Sequence, residues 1–250
     1  MPNKDTPQLY EQLRFVRRMV TDCYICGQPL NGEKSSDHVI PNKIFAVGSP
    51  DRPQLPTHHG CNNGKSMDDE WFMRQLQKMC SLNPRAKAGL DKLLNKALAE
   101  KQSADMIGKS NQIRNYKLAR TILQNDKWGS KTALSGRRLS TLSVASEDVR
   151  HIMEYMKRVC RGLYLLNVPN AQPALPEITG VQYAGAIANH TYDAFMDPVS
   201  MLLQQSKDSQ FSQAWSDQVF YIGSSVTGDI NKGFIFIEFY KEAGFLAMFQ

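Results

Sequence analysis

Two short pairs, Cys23-x-x-Cys26 and His58-x-x-Cys61, constrain this chain more than any other feature of it. A two-residue gap lets both members of a pair grip one ion from a single tight turn, and zinc takes four thiolate or imidazole ligands in a tetrahedron. Matched pairs of this kind predict a loop stapled by structural Zn²⁺. His59 is the rival to His58, but it leaves one residue before Cys61, a poorer spacing for the same turn.

Between and beside the pairs lie Asp37-His38-Val39-Ile40-Pro41 and Cys61-Asn62-Asn63-Gly64-Lys65. A carboxylate oxygen is a hard ligand that suits Mg²⁺ or Mn²⁺, and an imidazole is a general base near neutral pH. Alone, His38 reads as a hydrogen-bonded structural histidine. Inside a zinc frame, beside Asp37, it reads as part of a site.

The other two cysteines, Cys80 and Cys160, lie far apart, so five cysteines do not make a disulfide framework and a reducing, intracellular setting is expected. The first twenty residues lack the apolar core of a signal peptide, and no run reaches the ~18 apolar residues of a membrane span. The expectation is a cytoplasmic protein with no membrane contact. The net charge of +6 is unevenly placed: residues 1–20, 21–81, 82–138 and 139–250 carry +2, −1, +9 and −4. A basic block of that density reads as a surface for a nucleic-acid backbone.

The sequence divides into three parts and an α+β fold class: a module at 1–81, a basic helical segment at 82–138 and a C-terminal α+β unit at 139–250. Thr6-Pro7 and the spacing of Leu9, Leu13, Val16 and Val20 predict a helix over about 6–20. Residues 23–65 read as hairpin and loop with little regular structure. Ser66 and Asp69 fit a capping box, which starts the next helix just after Lys65. Asn83-Pro84 opens a helix to about Lys101, and a further one is expected over about 110–127. The Ser-, Gly- and Thr-rich stretch Gly129–Ser143 reads as a mobile basic loop. Ser146 caps a helix to about Val168, and three aromatic and β-branched runs from Val219 to Phe249 predict an antiparallel meander.

The segment from about residue 20 to 80 resembles an HNH endonuclease of the ββα-metal type, whose motif is embedded in a zinc-binding scaffold. Asp37-His38-Val39-Ile40-Pro41 resembles its Asp-His-hydrophobic-hydrophobic-Pro element, and Cys61-Asn62-Asn63-Gly64-Lys65 resembles its Cys-Asn-x-x-Lys ending. The resemblance implies His38 as the base that activates water. It implies Asp37 and Asn62 as ligands of one divalent cation, and cleavage to 5′-phosphate and 3′-hydroxyl ends. Asn63 could exchange roles with Asn62, although the spacing to Lys65 favours Asn62. His58 stands where the family usually has Cys. Gln54, before Leu55, stands where the family has the middle Asn that orients the base, with Asn42 as a possible substitute.

The leading expectation is thus a metal-dependent DNA endonuclease. Its backbone contacts would come from Lys65 at a helix N-terminus and from Lys87, Lys92, Lys96, Arg114, Lys117 and Arg120 in the basic block. Restriction, phage defence and mobile elements all use such a module, with a homodimer or a defence-system protein as possible partner. The alternative is a catalytically silent, zinc-stapled nucleic-acid-binding module.

Overall fold

The computed structural model describes residues 20–45, 52–81, 83–102, 127–132, 138–143, 146–167, 177–186, 210–215, 218–226 and 229–249. They form a mixed α+β arrangement of helices and small antiparallel sheets. The helices expected over about 6–20 and 110–127 lie outside these residues except at their ends, as do Arg114, Lys117 and Arg120.

The first cysteine pair sits on a tight turn. Cys23 N donates to Gln28 O at 2.8 Å and Gly27 N to Cys23 O at 2.7 Å. Gly27 takes φ 74°, a left-handed conformation that a side chain would oppose. Strand β1 (Lys34–His38) then pairs antiparallel with β2 (Gln54–His58), with Lys34 opposite His58 and His38 opposite Gln54. A one-turn 3₁₀ helix, Asn42–Ile44, lies in the connection. Side chains alternate along a strand, so Ser35 and Asp37 share one face of β1 while Ser36 and His38 share the other.

Helix α1 runs over His59–Met79 and follows β2 directly. Its start corrects the expected one after Lys65 and places Cys61, Asn62 and Lys65 in its first two turns. Ser66 is not a cap: its Oγ donates back to Asn63 O at 3.0 Å, inside the helix. Gly60, Asn62, Asn63 and Gly64 are weak helix formers. Tertiary anchors at Cys61, Asn62 and Lys65 override that weakness, so propensity hid the first two turns.

Helix α2 (Pro84–Gln102) forms as expected, with Asn83 Oδ1 accepting from Arg85 N at 3.0 Å and Ala86 N at 3.4 Å. Lys87 and Lys92 on it are exposed; Lys96 lies on it beyond the described side chains. Of the stretch expected to be a mobile loop, the described residues instead belong to paired strands, β3 (Lys127–Thr132) antiparallel to β4 (Arg138–Ser143). Its Ser and Gly content suggests a loop, yet Trp128, Leu139, Thr141 and Leu142 favour strand.

Helix α3 (Ser146–Asn167) carries Glu147 and Asp148 in its first turn, as its cap predicts. Strands β5 (Ile178–Ala186), β6 (Gln210–Trp215), β7 (Val219–Val226), β8 (Asp229–Phe239) and β9 (Ala243–Phe249) form one antiparallel sheet of order β5-β9-β8-β7-β6. The expected meander is β7–β9; β5 and β6 extend it at both edges.

The chain separates into two compact units, residues 1–73 with 153–250, and residues 74–152. This differs from the three-part division read from the sequence, because the cysteine-bearing hairpin shares its unit with the C-terminal sheet. A module this small has little apolar surface of its own to bury, and Tyr155, Met156, Val159, Cys160, Leu163 and Tyr164 of α3 supply it. In that core Phe72 stacks on Tyr155 with ring centroids 4.2 Å apart and meets Phe239 edge-on at 5.8 Å, and Tyr164 meets Phe249 at 4.8 Å. Among the described residues no helix is long and apolar enough to cross a membrane.

Candidate metal centre and active site

Cys23, Cys26, His58 and Cys61 form a cluster that can hold a metal ion, their ligand atoms lying within 4.8 Å of one another. All five cysteines are free thiols, and Cys80 and Cys160 are buried away from this cluster. His58 Nε2–H donates to Pro29 O at 2.9 Å, which leaves the Nδ1 lone pair facing Cys26 Sγ at 3.4 Å and Cys61 Sγ at 3.9 Å. A ligand histidine is oriented in this way, through its second nitrogen. His59 is exposed and stands outside the cluster.

The thiols themselves show why a cation fits. Burial and the neighbouring Cys26 and Cys23 push the Cys61 thiol up to about 12. At Cys26 burial acts upward too, but hydrogen bonds from the Gln28 backbone, His58 and the other thiols outweigh it and lower the pKa. Sulfurs this crowded cannot all ionise without a compensating charge, and three soft donors with one imidazole match zinc.

On the outward face of the hairpin, His38 is half-buried with its Nε2 at 2.8 Å from Gln54 Nε2. Gln54 Oε1 accepts in turn from Ser36 Oγ at 3.1 Å. The cross-strand register produces this row, since His38 is paired with Gln54 and Ser36 with Pro56. Gln54, not Asn42, therefore contacts the imidazole. Burial holds the His38 pKa below its ordinary value of 6.5, with Arg52 and Lys65 adding to the effect and Asp37 opposing it. The shift favours the neutral ring.

The inward face holds a buried polar network. Asp37 is 5% exposed, and its Oδ2 accepts from the Tyr24 hydroxyl and lies 3.2 Å from Lys65 Nζ. Lys65 also pairs with Asp69 Oδ1 at 2.8 Å and donates to His38 O at 2.9 Å. Tyr155 OH donates to Asp69 Oδ1 at 2.5 Å, and burial with the Asp69 charge raises the Tyr155 pKa well above 10.0. Burial and the Asp37 charge do the same to Tyr24, so both hydroxyls remain donors. Lys65 is 1% exposed and bound on all sides, which corrects its expected contact with a phosphate. A buried ammonium needs these partners, because an unpaired one would cost several kcal/mol.

Asn62 belongs to the same face. Its Nδ2 donates to Ser35 Oγ at 3.0 Å and to Ser36 O at 3.3 Å. Asp37 and Asn62 are thus each anchored through one side-chain atom, and among the described residues neither remaining Oδ1 takes a hydrogen bond. Asn63 is exposed and makes no such side-chain contact.

Helix α3 braces both regions. Arg161 Nη1 donates to Tyr24 O and Ile25 O at 3.4 Å each, and Arg158 pairs with Asp68 at 2.7 Å while lying 5.2 Å over the Tyr155 ring. Sequence reasoning missed Tyr24, Asp69 and Tyr155. The i,i+4 spacing of Lys65 and Asp69 on one helix was a readable signal. Tyr24, though inside the cysteine turn, and Tyr155, some ninety residues beyond Lys65, gave none. Compared with protein-family models, curated proteins and solved structures, the chain finds no match.

Proposed function

We propose that this chain is a metal-dependent DNA endonuclease of the HNH kind, with His38 as general base. The observation that carries the reading is the Ser36–Gln54–His38 row, a neutral imidazole held at 2.8 Å by an amide whose far side is itself held. Exchange of the Gln54 amide oxygen and nitrogen preserves both contacts, because the Ser36 hydroxyl both donates and accepts. In that arrangement Gln54 fixes the Nε2–H tautomer and leaves Nδ1, which no described residue engages, to take the proton of an attacking water.

The cysteine–histidine cluster would hold structural Zn²⁺ and fix the hairpin against the start of α1. Asp37 and Asn62 would hold Mg²⁺ or Mn²⁺ through their remaining oxygens, a donor chemistry that suits a hard cation. When bound, that ion supplies charge stabilisation at a phosphate oxygen and at the departing 3′ oxygen. The exposed Lys87 and Lys92, with Lys96, Arg114, Lys117 and Arg120, provide the positive surface for the DNA backbone. Cutting both strands of a duplex takes two such modules or two successive nicks, so a homodimer suits the reading, and restriction or phage defence is the setting in which it has use.

Supercoiled plasmid incubated with Mg²⁺ or Mn²⁺ tests the assignment. Wild type should nick or linearise it, and His38→Ala, with zinc content unchanged, should lose about 10²–10⁴-fold in rate. Because burial lowers the His38 pKa, the rate should rise with pH with its half-maximal point below 6.5, the ordinary histidine value. Equal rates for the two proteins would overturn His38 as the base, and no cleavage by either across DNA and RNA substrates would leave the chain as a zinc-stapled binding module.

A further inference from the structure

Tyr24 lies between two cysteines of the zinc cluster, yet its hydroxyl donates to Asp37 at the end of β1. One residue therefore belongs to the turn that grips one ion and touches the side chain assigned to another. Asp37 Oδ2 is held from two sides, by Tyr24 and by Lys65 Nζ at 3.2 Å. Lys65 is itself fixed by Asp69 at 2.8 Å and the His38 carbonyl at 2.9 Å. A carboxylate so clamped cannot rotate about its terminal torsion without losing a charge-assisted bond. Its Oδ1 is aimed by the same contacts.

We infer that Tyr24 and Lys65 are positioning residues that orient Asp37 for a divalent cation, so that an intact cysteine turn is a condition for cation binding at the hairpin. The inference rests on the reading of Asp37 as a cation ligand and adds a dependence between two sites. Arg161 of α3, donating to Tyr24 O and Ile25 O at 3.4 Å, holds the turn from behind. Coupling of this type is reciprocal, so occupancy of the hairpin also favours the closed cysteine turn.

The test is Mn²⁺ binding followed by electron paramagnetic resonance on the zinc-loaded full chain without DNA, which needs no turnover. Wild type should bind one Mn²⁺ that Asp37→Ala abolishes. Tyr24→Phe, which removes one oxygen and keeps the buried ring, should weaken Mn²⁺ binding about 10–100-fold, as loss of a ligand's supporting hydrogen bond does, while zinc content stays at one per chain. Tyr155→Phe, which removes a bond to Asp69 rather than to Asp37, is the control for general loosening and should change Mn²⁺ affinity less. If Tyr24→Phe binds Mn²⁺ like wild type while Asp37→Ala does not bind it, the positioning role fails and the ligand assignment stands. If Asp37→Ala binds like wild type, both fail. Equal weakening by Tyr24→Phe and Tyr155→Phe would reduce Tyr24 to a packing residue and overturn the inference.

Discussion

Cys23, Cys26, His58 and Cys61 lie within 4.8 Å of one another, each pair grouped by the chain's own spacing and the second pair carried on the end of β2 and the first turn of α1. Asp37, His38 and Asn62 are interleaved with them in sequence but divide between two faces of one hairpin. They are held by Tyr24, Gln54, Ser35 and Lys65 rather than by one another. The first set needs the cysteine turn and the junction of β2 with α1. The second needs the hairpin register, the first two turns of α1 and the packing of α3, so it inherits every error in those elements. The cysteine–histidine cluster thus rests on fewer elements of the fold than Asp37, His38 and Asn62 do.

Depriving the cysteine–histidine cluster of a metal should have the largest effect. On the proposed reading the cluster holds zinc, and structural zinc contributes on the order of 10–16 kcal/mol in small domains. In Cys26→Ser, or after chelation, amide exchange at β1 and β2 should lose its protection while β8 and β9 keep theirs. A hairpin that stays protected without zinc would show that the buried network alone holds it.

Lys65→Met tests the second region by itself. It leaves the buried Asp37 and the partly exposed Asp69 without their cation and should destabilise the chain by about 3–5 kcal/mol, read as a lower denaturant midpoint. Adding Asp69→Asn should recover part of the loss, since one of the two stranded charges is gone. No change in midpoint would mean that solvent reaches the carboxylates.

Legibility followed the same division. The cysteine–histidine cluster could be read from two spacings, and His58 was separable from His59 by turn geometry alone. Helices α2 and α3 announced themselves through Asn83-Pro84 and Ser146, because caps are local. The start of α1 did not, since Gly60 and Gly64 argue against helix and only contacts with the hairpin and the cluster hold it. Gln54 could be suspected as the partner of His38, but the cross-strand pairing that joins them is a property of register. Lys65 misled: a lysine near a helix start suggests a phosphate, and its burial depends on Tyr155, some ninety residues away.

The finest test of the comparison lies at Gly162, where α3 passes both regions at once. A Cβ built there would fall 2.6 Å from Val39 Cγ1, just beyond the hairpin's Asp37-His38, and 3.1 Å from Tyr24 Cδ2 in the cysteine turn. Val39 and Tyr24 are both fully buried, and a β-branched side chain has little rotamer freedom with which to yield. Gly162→Ala should therefore cost about 1–3 kcal/mol, as overpacking of a tight core does. Where the strain appears is more informative than its size. If the zinc-bound turn is the stiffer partner, the shift should concentrate at Val39 and the neighbouring His38, seen as altered His38 ring resonances with the Cys26 and Cys61 surroundings unchanged. Movement confined to Tyr24 would reverse the ranking and make the hairpin, with its buried Lys65, the more rigid of the two.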